Sequence, residues 1–312
     1  MAAGLERHAQ EPVMDAAALW PRVPALWRDR LRRLGDQAGD RPSAVVGGWV
    51  RDLILGRASK DWDVVVEGDT GPVVRALATV EGARLKSHAA FGTHTLTYPD
   101  GTTLDVATAR TEIYASPGAL PRVRPATLSE DARRRDFTVN TLYLRLPVDS
   151  GDLWDPLGGL VDLERGWIRA LHPRSFIDDP TRVFRAARYA GRFGWTVEPA
   201  TRALIEQAGN DDRVGAISPV RRRNELFHLL REKDPAPALR LLWDWGFWKY
   251  WDPSWAWPVD FPVCGPETID PLPERLAALF PRRPGAAEAW LKRHDTPGAL
   301  QRITLSLLKG TP

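Results

Sequence analysis

Sulfur is scarce in this chain: its 312 residues include one cysteine, Cys264, and two methionines. A single cysteine excludes an intramolecular disulfide and any zinc cage built from cysteines. Long apolar runs are missing as well, and none approaches the roughly 18 residues needed to cross a bilayer. Residues 1–20 (MAAGLERHAQEPVMDAAALW) lack a basic start followed by an apolar stretch. No secretory signal is therefore expected, and the expected location is cytoplasmic. Histidine is sparse, and neither His88 nor His94 has metal-ligand spacing, so both are expected to be structural. No internal repeat is visible.

What is present is an ordinary globular composition, 43% hydrophobic and 27% charged, in a chain long enough for two or three modules. The net charge of +3 hides an uneven distribution. Carboxylates gather at 61–69, while arginines crowd 182–192 and 221–231. An acidic centre beside a basic surface suits a protein that holds cations and a polyanion together. An arginine-rich solvated surface is the plainer alternative.

Periodicity divides the chain into a mixed α/β part over about 40–150 and a helical remainder. Residues 14–37 read as an amphipathic helix interrupted near Pro21 and Pro24. A short strand at Ala44–Val46, a Gly-Gly turn and a helix from Trp49 to Leu55 follow. Val64–Val66 is β-branched and strand-like. Thr93–Tyr98 and Thr103–Ala107, separated by Pro99-Asp100-Gly101, form a predicted hairpin. Residues 112–128, rich in Pro and Ala, read as a loop over the site, and Thr138–Leu146 as a strand or a buried helix. Helices are predicted at 180–193, 199–208, 218–231, 235–245, 272–280, 285–293 and 297–308. The tryptophan-rich run at 241–257 either stacks on nucleic-acid bases or packs a core, with the core favoured.

The segment VVGGWVRDLILGRASKDWDVVVEGD carries the most chemistry. Gly47-Gly48, between a strand and a helix, lets backbone N–H groups approach a phosphate, and the helix dipole adds to the attraction. Arg51, one turn into the helix, offers a charge-assisted fork to the same group. Asp61 and Asp63, two apart on a strand, share one face. Such close like charges are costly without a cation between them, and hard oxygen donors suit Mg²⁺. Asp105, on the second hairpin strand, offers a third carboxylate. Three carboxylates can hold two metals about 3.5–4 Å apart, one activating an attacking hydroxyl and one steadying a leaving pyrophosphate. An Asp-x-Asp pair alone reads more simply as a solvated strand end; joined to the glycine turn it favours the metal site.

Farther along, ARRRDFTVN at 132–140 places Arg134, Arg135, Asp136 and Asn140 close together. Polar groups there can bond a ribose 2′-hydroxyl, and Arg135 can reach a phosphate. A buried Arg–Asp pair is the competing reading. In IDDPTRVFRAARYAGRF at 177–193, Asp179-Pro180 predicts a helix start with Asp179 as cap. Arg182, Arg185, Arg188 and Arg192 then fall within an arc of about 120°, an array that repels itself unless it faces an anion.

These strings resemble the polymerase-β-like nucleotidyltransferase superfamily, and in detail the class II tRNA nucleotidyltransferases (CCA-adding enzymes) and bacterial poly(A) polymerases. The similarity covers roughly 43–230. It implies an α+β fold, a nucleotidyltransferase head of mixed sheet and helices followed by an all-α neck and body. The expected divisions are a helical extension at 1–40, a catalytic head at 41–155, a nucleotide-selecting neck at 156–232 and an RNA-binding body at 233–312. By resemblance Gly47, Gly48 and Arg51 contact the triphosphate. Asp61 and Asp63 bind Mg²⁺ and, with Asp105, are catalytic. Arg135, Asp136 and Asn140 serve the nucleotide. Asp179 and Arg182 read the base, and Arg185 and Arg188 add contacts. The sequence departs from the family in having Asp178 where Glu is usual and Pro180 inside the motif.

DPLGGLVDLERGWIRAL at 155–171 resembles the family's hinge, with Asp155 and Asp162 expected to cap or pin the turn. SPVRRRNELFHLL at 218–230 resembles its next helix, where Arg221–Arg223 either touch RNA phosphates or form a solvated basic face. The resemblance implies transfer of CMP and/or AMP from CTP and ATP to the tRNA 3′ end, whether CC, A or complete CCA. The 112–131 loop has about the length of a complete loop, which disfavours CC addition alone. Poly(A) polymerases and non-catalytic RNA-binding relatives share parts of the pattern, and transfer to a small molecule or protein is a further, less favoured reading.

Overall fold

The computed structural model describes residues 16–59, 61–148, 152–255, 257–262 and 270–310. Cys264 and the first 15 residues of the expected N-terminal extension lie outside them. Two compact units emerge, one from residues up to Ile113 with Pro121–Arg165, the other from Tyr114–Leu120 with Gly166 onward. Among the described residues, no helix is long and apolar enough to cross a membrane.

In the first unit, α1 (Ala16–Leu19), a 3-10 turn at Trp20–Arg22 and α2 (Ala25–Ala38) divide at the prolines. Trp27, Leu31, Leu34 and Ala38 recur at helical spacing, and all are buried on one face of α2. Fully burying each such leucine is worth about 1.5–3 kcal/mol. Arg30, buried on the same helix, donates to Asp100 Oδ2 at 2.8 Å and Thr102 Oγ1 at 2.7 Å, with its guanidinium 3.6 Å from the Tyr98 ring centre.

The strands are β1 (Ser43–Val46), β2 (Trp62–Val66), β3 (Arg84–His88), β4 (Thr93–Thr97), β5 (Thr103–Thr108), β6 (Arg110–Ile113), β7 (Arg122–Pro125), β8 (Tyr143–Arg145) and β9 (Leu153–Trp154). Seven of them build one mixed sheet in the order β3-β4-β5-β2-β1-β8-β9. Among the described residues, β2 and β5 run parallel within it and the other neighbours are antiparallel. The intervening helices are α3 (Gly48–Ile54), α4 (Gly71–Glu81), α5 (Leu128–Arg133) and α6 (Gly159–Arg165).

Period-2 alternation sorts β2 between two faces: Trp62, Val64 and Val66 join the core formed with α2 and α4, and Val65 joins Ala44, Val46 and Tyr143 on the other. Trp62 lies between Trp27, 4.1 Å away, and Trp49 of α3, 4.0 Å away. This triple stack locks the start of β2 to the helix that follows the glycine turn.

The stretch 112–128 departs from the loop expectation. Arg110–Ile113 and Arg122–Pro125 pair antiparallel, Thr111 opposite Arg124 and Glu112 opposite Val123. Strands of four residues, one of them ending in proline, are too short to show an alternating pattern. Thr138–Leu146 is both of its alternatives in succession, a 3-10 turn at Thr138–Asn140 and then β8.

The second unit is mostly helical, with α7 (Ser175–Asp178), α8 (Arg182–Phe193), α9 (Pro199–Asn210), α10 (Pro219–Leu230), α11 (Ala236–Asp244), α12 (Leu272–Ala278), α13 (Pro284–Arg293) and α14 (Gly298–Gly310). It departs from the all-α expectation where Trp167–Ile168 pairs parallel with Thr196–Val197. Helices α8 and α11 cross at Gly191, where an added Cβ would lie 2.6 Å from the Ala238 nitrogen. Trp248, Trp251 and Trp255 are buried and pack with Phe280 and Trp290, so these tryptophans of the 241–257 run form core.

Candidate active site

Strand β1 ends at Val46 and is followed by Gly47, whose φ of 73° and ψ of −142° place it outside the regions open to side-chain-bearing residues. The turn delivers the chain into α3 at Gly48. A Cβ on Gly47 would meet Arg135 Nη1 at 3.3 Å, and one on Gly48 would meet Arg51 Nη2 at 3.3 Å. The Gly-Gly pair therefore lets two guanidiniums lie against backbone.

Arg51 is only 2% exposed. Its fork engages Asp52 Oδ1 at 2.8 and 2.9 Å and Asn140 Oδ1 at 2.6 Å. Asn140 in turn donates to Asp136 Oδ1 at 2.9 Å, and that oxygen also accepts from Phe137 N at 2.8 Å. Arg51, Asn140 and Asp136 thus form one buried polar chain beneath the turn, built across 89 residues of sequence.

Asp61 stands exposed just before β2, and Asp63 follows on the solvent side of that strand. Across the parallel pairing of β2 with β5, Asp63 is directly in register with Asp105. Thr95, opposite Asp105 on β4, donates to Asp105 Oδ1 at 2.5 Å. Asp63 and Asp105 line a depression of about 420 Å³ together with Thr93, Thr95, Arg134 and Arg135. Asp63 reaches solvent through the mouth of this depression while the surrounding walls crowd it. That partial dehydration pushes its carboxyl up to about 6; Arg135 works against the rise, and Asp105 and Asp61 add to it. Among the described residues, no three His, Cys, Asp or Glu groups are arranged to hold a metal ion unaided.

The basic wall depends on a residue that the sequence reading passed over. Asp131, on α5, is fully buried. Its Oδ1 accepts from Arg134 at 2.7 and 2.9 Å, and its Oδ2 from Arg135 at 2.9 and 3.2 Å and from the Tyr143 hydroxyl at 3.1 Å. Burial alone raises its pKa, yet the two arginines hold it below the usual carboxylate range. Arg135, for its part, is held above its ordinary value by Asp131 and Tyr143 in spite of burial. A capping box at Thr127 and Glu130 starts α5, and Glu67 at the end of β2 accepts from Leu128 N at 2.6 Å. The only available signal was the i, i+3 and i, i+4 spacing of Asp131 to the arginine pair.

In the hinge-like stretch, Asp155 accepts from Gly159 N and Leu160 N, both at 2.8 Å, and Asp162 accepts from Thr138 Oγ1 at 2.7 Å. Asp155 thus secures the backbone at the start of α6, while Asp162 holds the Thr138 side chain.

The second unit carries the remaining candidates. Helix α8 begins at Arg182, not at Pro180, and Thr181 rather than Asp179 is its cap residue. Asp179 instead makes a local turn, its Oδ1 accepting from Thr181 N at 3.2 Å and Thr181 Oγ1 at 2.8 Å. Short side-chain bonds of this kind compete with capping. Arg182 is buried and donates to Ser175 Oγ at 2.7 Å; Arg185 donates to the Tyr189 hydroxyl at 3.1 Å. Glu232 accepts from both Arg188 and Arg192, so part of the arginine array is neutralised within the chain. Glu225 of α10 lies near Arg185 and Arg188, and burial nevertheless raises its pKa. Of the 221–223 arginines, Arg223 is buried, with Nη1 donating to the carbonyl oxygens of His294 and Asp295. This corrects both readings of it, RNA contact and solvated face: the helix turns it into the core.

Residues 43–169 match the family model described as the poly A polymerase head domain, and residues 194–257 match a probable RNA and SrmB-binding site of polymerase A. An A-adding tRNA nucleotidyltransferase of Geobacter sulfurreducens is 41% identical over 251 residues, which is 80% of this chain and 28% of that protein. A CC-adding tRNA nucleotidyltransferase of Deinococcus radiodurans is 42% identical over 234 residues, 74% of this chain and 62% of that protein. The chain thus spans between 28% and 62% of the length of these two relatives. A solved apo form of a CCA-adding enzyme superposes with a TM-score of 0.78 at 30% identity, over 96% of this chain and 74% of the other.

Proposed function

Since the chain belongs to the family of tRNA nucleotidyltransferases and poly(A) polymerases, we propose that it is a template-independent RNA nucleotidyltransferase. It adds CMP and/or AMP, from CTP and ATP, to the tRNA 3′ acceptor end in the cytoplasm. The observation that carries this reading is the register of Asp63 with Asp105 in a depression whose other wall holds Arg134 and Arg135. An acidic pair facing a basic fork is what a cation and a triphosphate need side by side.

Enzymes of this family generally use divalent metals. The donor set here suits Mg²⁺: hard carboxylate oxygens open to solvent, with the remaining positions left to water and substrate phosphate. The crowding that raises Asp63 is relieved by a cation, which supports the same assignment. When bound, the metal supplies charge neutralisation at the phosphates and acidifies the attacking hydroxyl.

Asp61 and Asp63 are the residues that would hold it. Asp105, oriented by Thr95, faces the incoming 3′-hydroxyl as a third carboxylate. The backbone at Gly47 and Gly48 admits the triphosphate closely, and Arg135 meets its charge. Arg51, expected at the triphosphate, is buried with its guanidinium engaged by Asp52 and Asn140 and braces the turn instead, while Asn140 and Asp136 form the polar wall for the ribose. The 3′-hydroxyl releases its proton to solvent as its oxygen forms a bond to the α-phosphorus, the α–β phosphoanhydride bond breaks, and pyrophosphate leaves. Positioning and charge complementarity do most of the work. Asp179 and Arg182 read the base, with Arg185 and Arg188 as flanking contacts. A carboxylate acceptor suits the exocyclic amine that cytosine and adenine share, and uracil or guanine would set a carbonyl against it.

The test gives purified protein and Mg²⁺ three tRNA transcripts, ending at the discriminator, at C and at CC, with CTP and ATP separately. Growth of at least one transcript is expected, and its length defines which nucleotides are added. Asp61→Ala and Asp63→Ala should abolish extension with the circular dichroism spectrum unchanged; normal turnover by either removes the metal assignment.

A further inference from the structure

We propose that Arg221 is a specificity-determining positioning residue: it locks Asp179 to the 114–120 segment so that one carboxylate oxygen alone faces the incoming base. The proposal rests on the reading of Asp179 as base acceptor given above.

Arg221 lies in the first turn of α10, and its guanidinium divides between two acceptors. Nη2 donates to Asp179 Oδ1 at 2.9 Å, and Nη1 donates to the Gly118 carbonyl at 2.6 Å. These contacts join positions 103 and 42 residues away along the chain. Asp179 Oδ1 also accepts from both the nitrogen and the hydroxyl of Thr181. Three donors therefore converge on one oxygen, and among the described residues none reaches Oδ2. Both side chains keep solvent access, 25% for Arg221 and 21% for Asp179, so the pair lies at a surface a ligand can reach.

The consequence follows from carboxylate geometry. An unrestrained aspartate rotates and can offer either oxygen to a base, or turn away to water. With Oδ1 saturated, rotation costs three bonds, and Oδ2 is presented as an acceptor in one direction. A fixed acceptor rewards an amine and penalises a carbonyl; a mobile one discriminates less. The planar fork of arginine meets two acceptors at once, which a lysine ammonium at the end of a flexible stem does not reproduce. Gly118 contributes through its φ of 72°, a conformation side-chain-bearing residues rarely adopt. Ordering of the 114–120 segment and orientation of Asp179 thereby become one event.

The experiment compares the full-length wild type with Arg221→Ala and Arg221→Lys. The transfer readout is kcat and KM for CTP, ATP, UTP and GTP on the tRNA transcripts. The binding readout is calorimetric titration of CTP against UTP without RNA. Both variants should lose about tenfold or more of the preference for CTP and ATP over UTP and GTP, mainly through KM. Combining Arg221→Ala with Asp179→Ala should lower discrimination no further than Asp179→Ala does. A merely structural arginine would depress all four nucleotides alike. Wild-type discrimination in a folded Arg221→Lys protein overturns the proposal. If the wild type extends no RNA, the functional reading fails, while the CTP-to-UTP binding ratio still decides the role of Arg221.

Discussion

The guanidinium of Arg135 occupies the space beside Gly47 where a side chain would begin, with 3.3 Å between Nη1 and the site of a Cβ. The left-handed turn and the arginine are thus one arrangement. Gly47→Ala should destabilise the chain by about 1–3 kcal/mol through backbone strain alone. It should also displace Arg135 and cut nucleotide incorporation. Thermal unfolding and single-nucleotide extension measure the two effects, and an unchanged Tm would contradict the strain argument.

Asp131 holds Arg134 and Arg135 from beneath. Asp131→Asn keeps the shape but leaves two arginines short of a buried counter-charge, a loss of about 3–5 kcal/mol. Urea unfolding should show a lower midpoint, and extension assays a raised KM for the triphosphate. A variant as stable as wild type would mean the network carries little energy.

Asp63 predicts a pH signature in chelator-treated protein. Its folded carboxyl titrates near 6 against an ordinary 3.8, so the folded chain holds this proton more tightly than the unfolded chain. Its contribution to stability is full below about pH 4 and is lost as pH rises toward 6. Asp63→Asn should therefore match wild type near pH 4 and exceed it at pH 8. Because the side chain is solvent-accessible, the gain is on the order of 1 kcal/mol. Denaturation across that range reads it out; a variant less stable at pH 8 would refute the sign.

Gly158 and Gly159 are glycines for different reasons. Gly158 has a φ of 73° with open space around it, whereas a Cβ on Gly159 would lie 2.4 Å from the Thr138 carbonyl oxygen. Gly158→Asn should be tolerated to within about 1 kcal/mol, since asparagine accepts left-handed backbone. Gly159→Ala must move backbone and should cost about 1–3 kcal/mol. Equal losses in parallel melts would contradict this division.

Much of this architecture was legible because its signals are local. Prolines 21 and 24 mark the breaks in the first helices, and alternation across Asp61-Trp62-Asp63 puts tryptophan inside and carboxylates outside. The helical remainder followed from spacing to within a few residues. The hairpin at 110–125 was illegible, because its strands are too short to carry a period and one ends in proline. The start of α8 was misplaced because Asp179 bonds Thr181 locally, a choice that the Asp-Pro pair does not reveal.

The sequence by itself determined which residue types could meet a cation and a phosphate, since strand alternation and a glycine turn are properties of the local chain. Tertiary structure alone decided who stands next to whom. Asp63 meets Asp105 through a parallel pairing, Arg51 meets Asn140 across 89 residues, and Arg221 joins Asp179 to Gly118. Hydrogen bonds and charges act over a few ångströms of space whatever the separation along the chain, and only packing sets those distances.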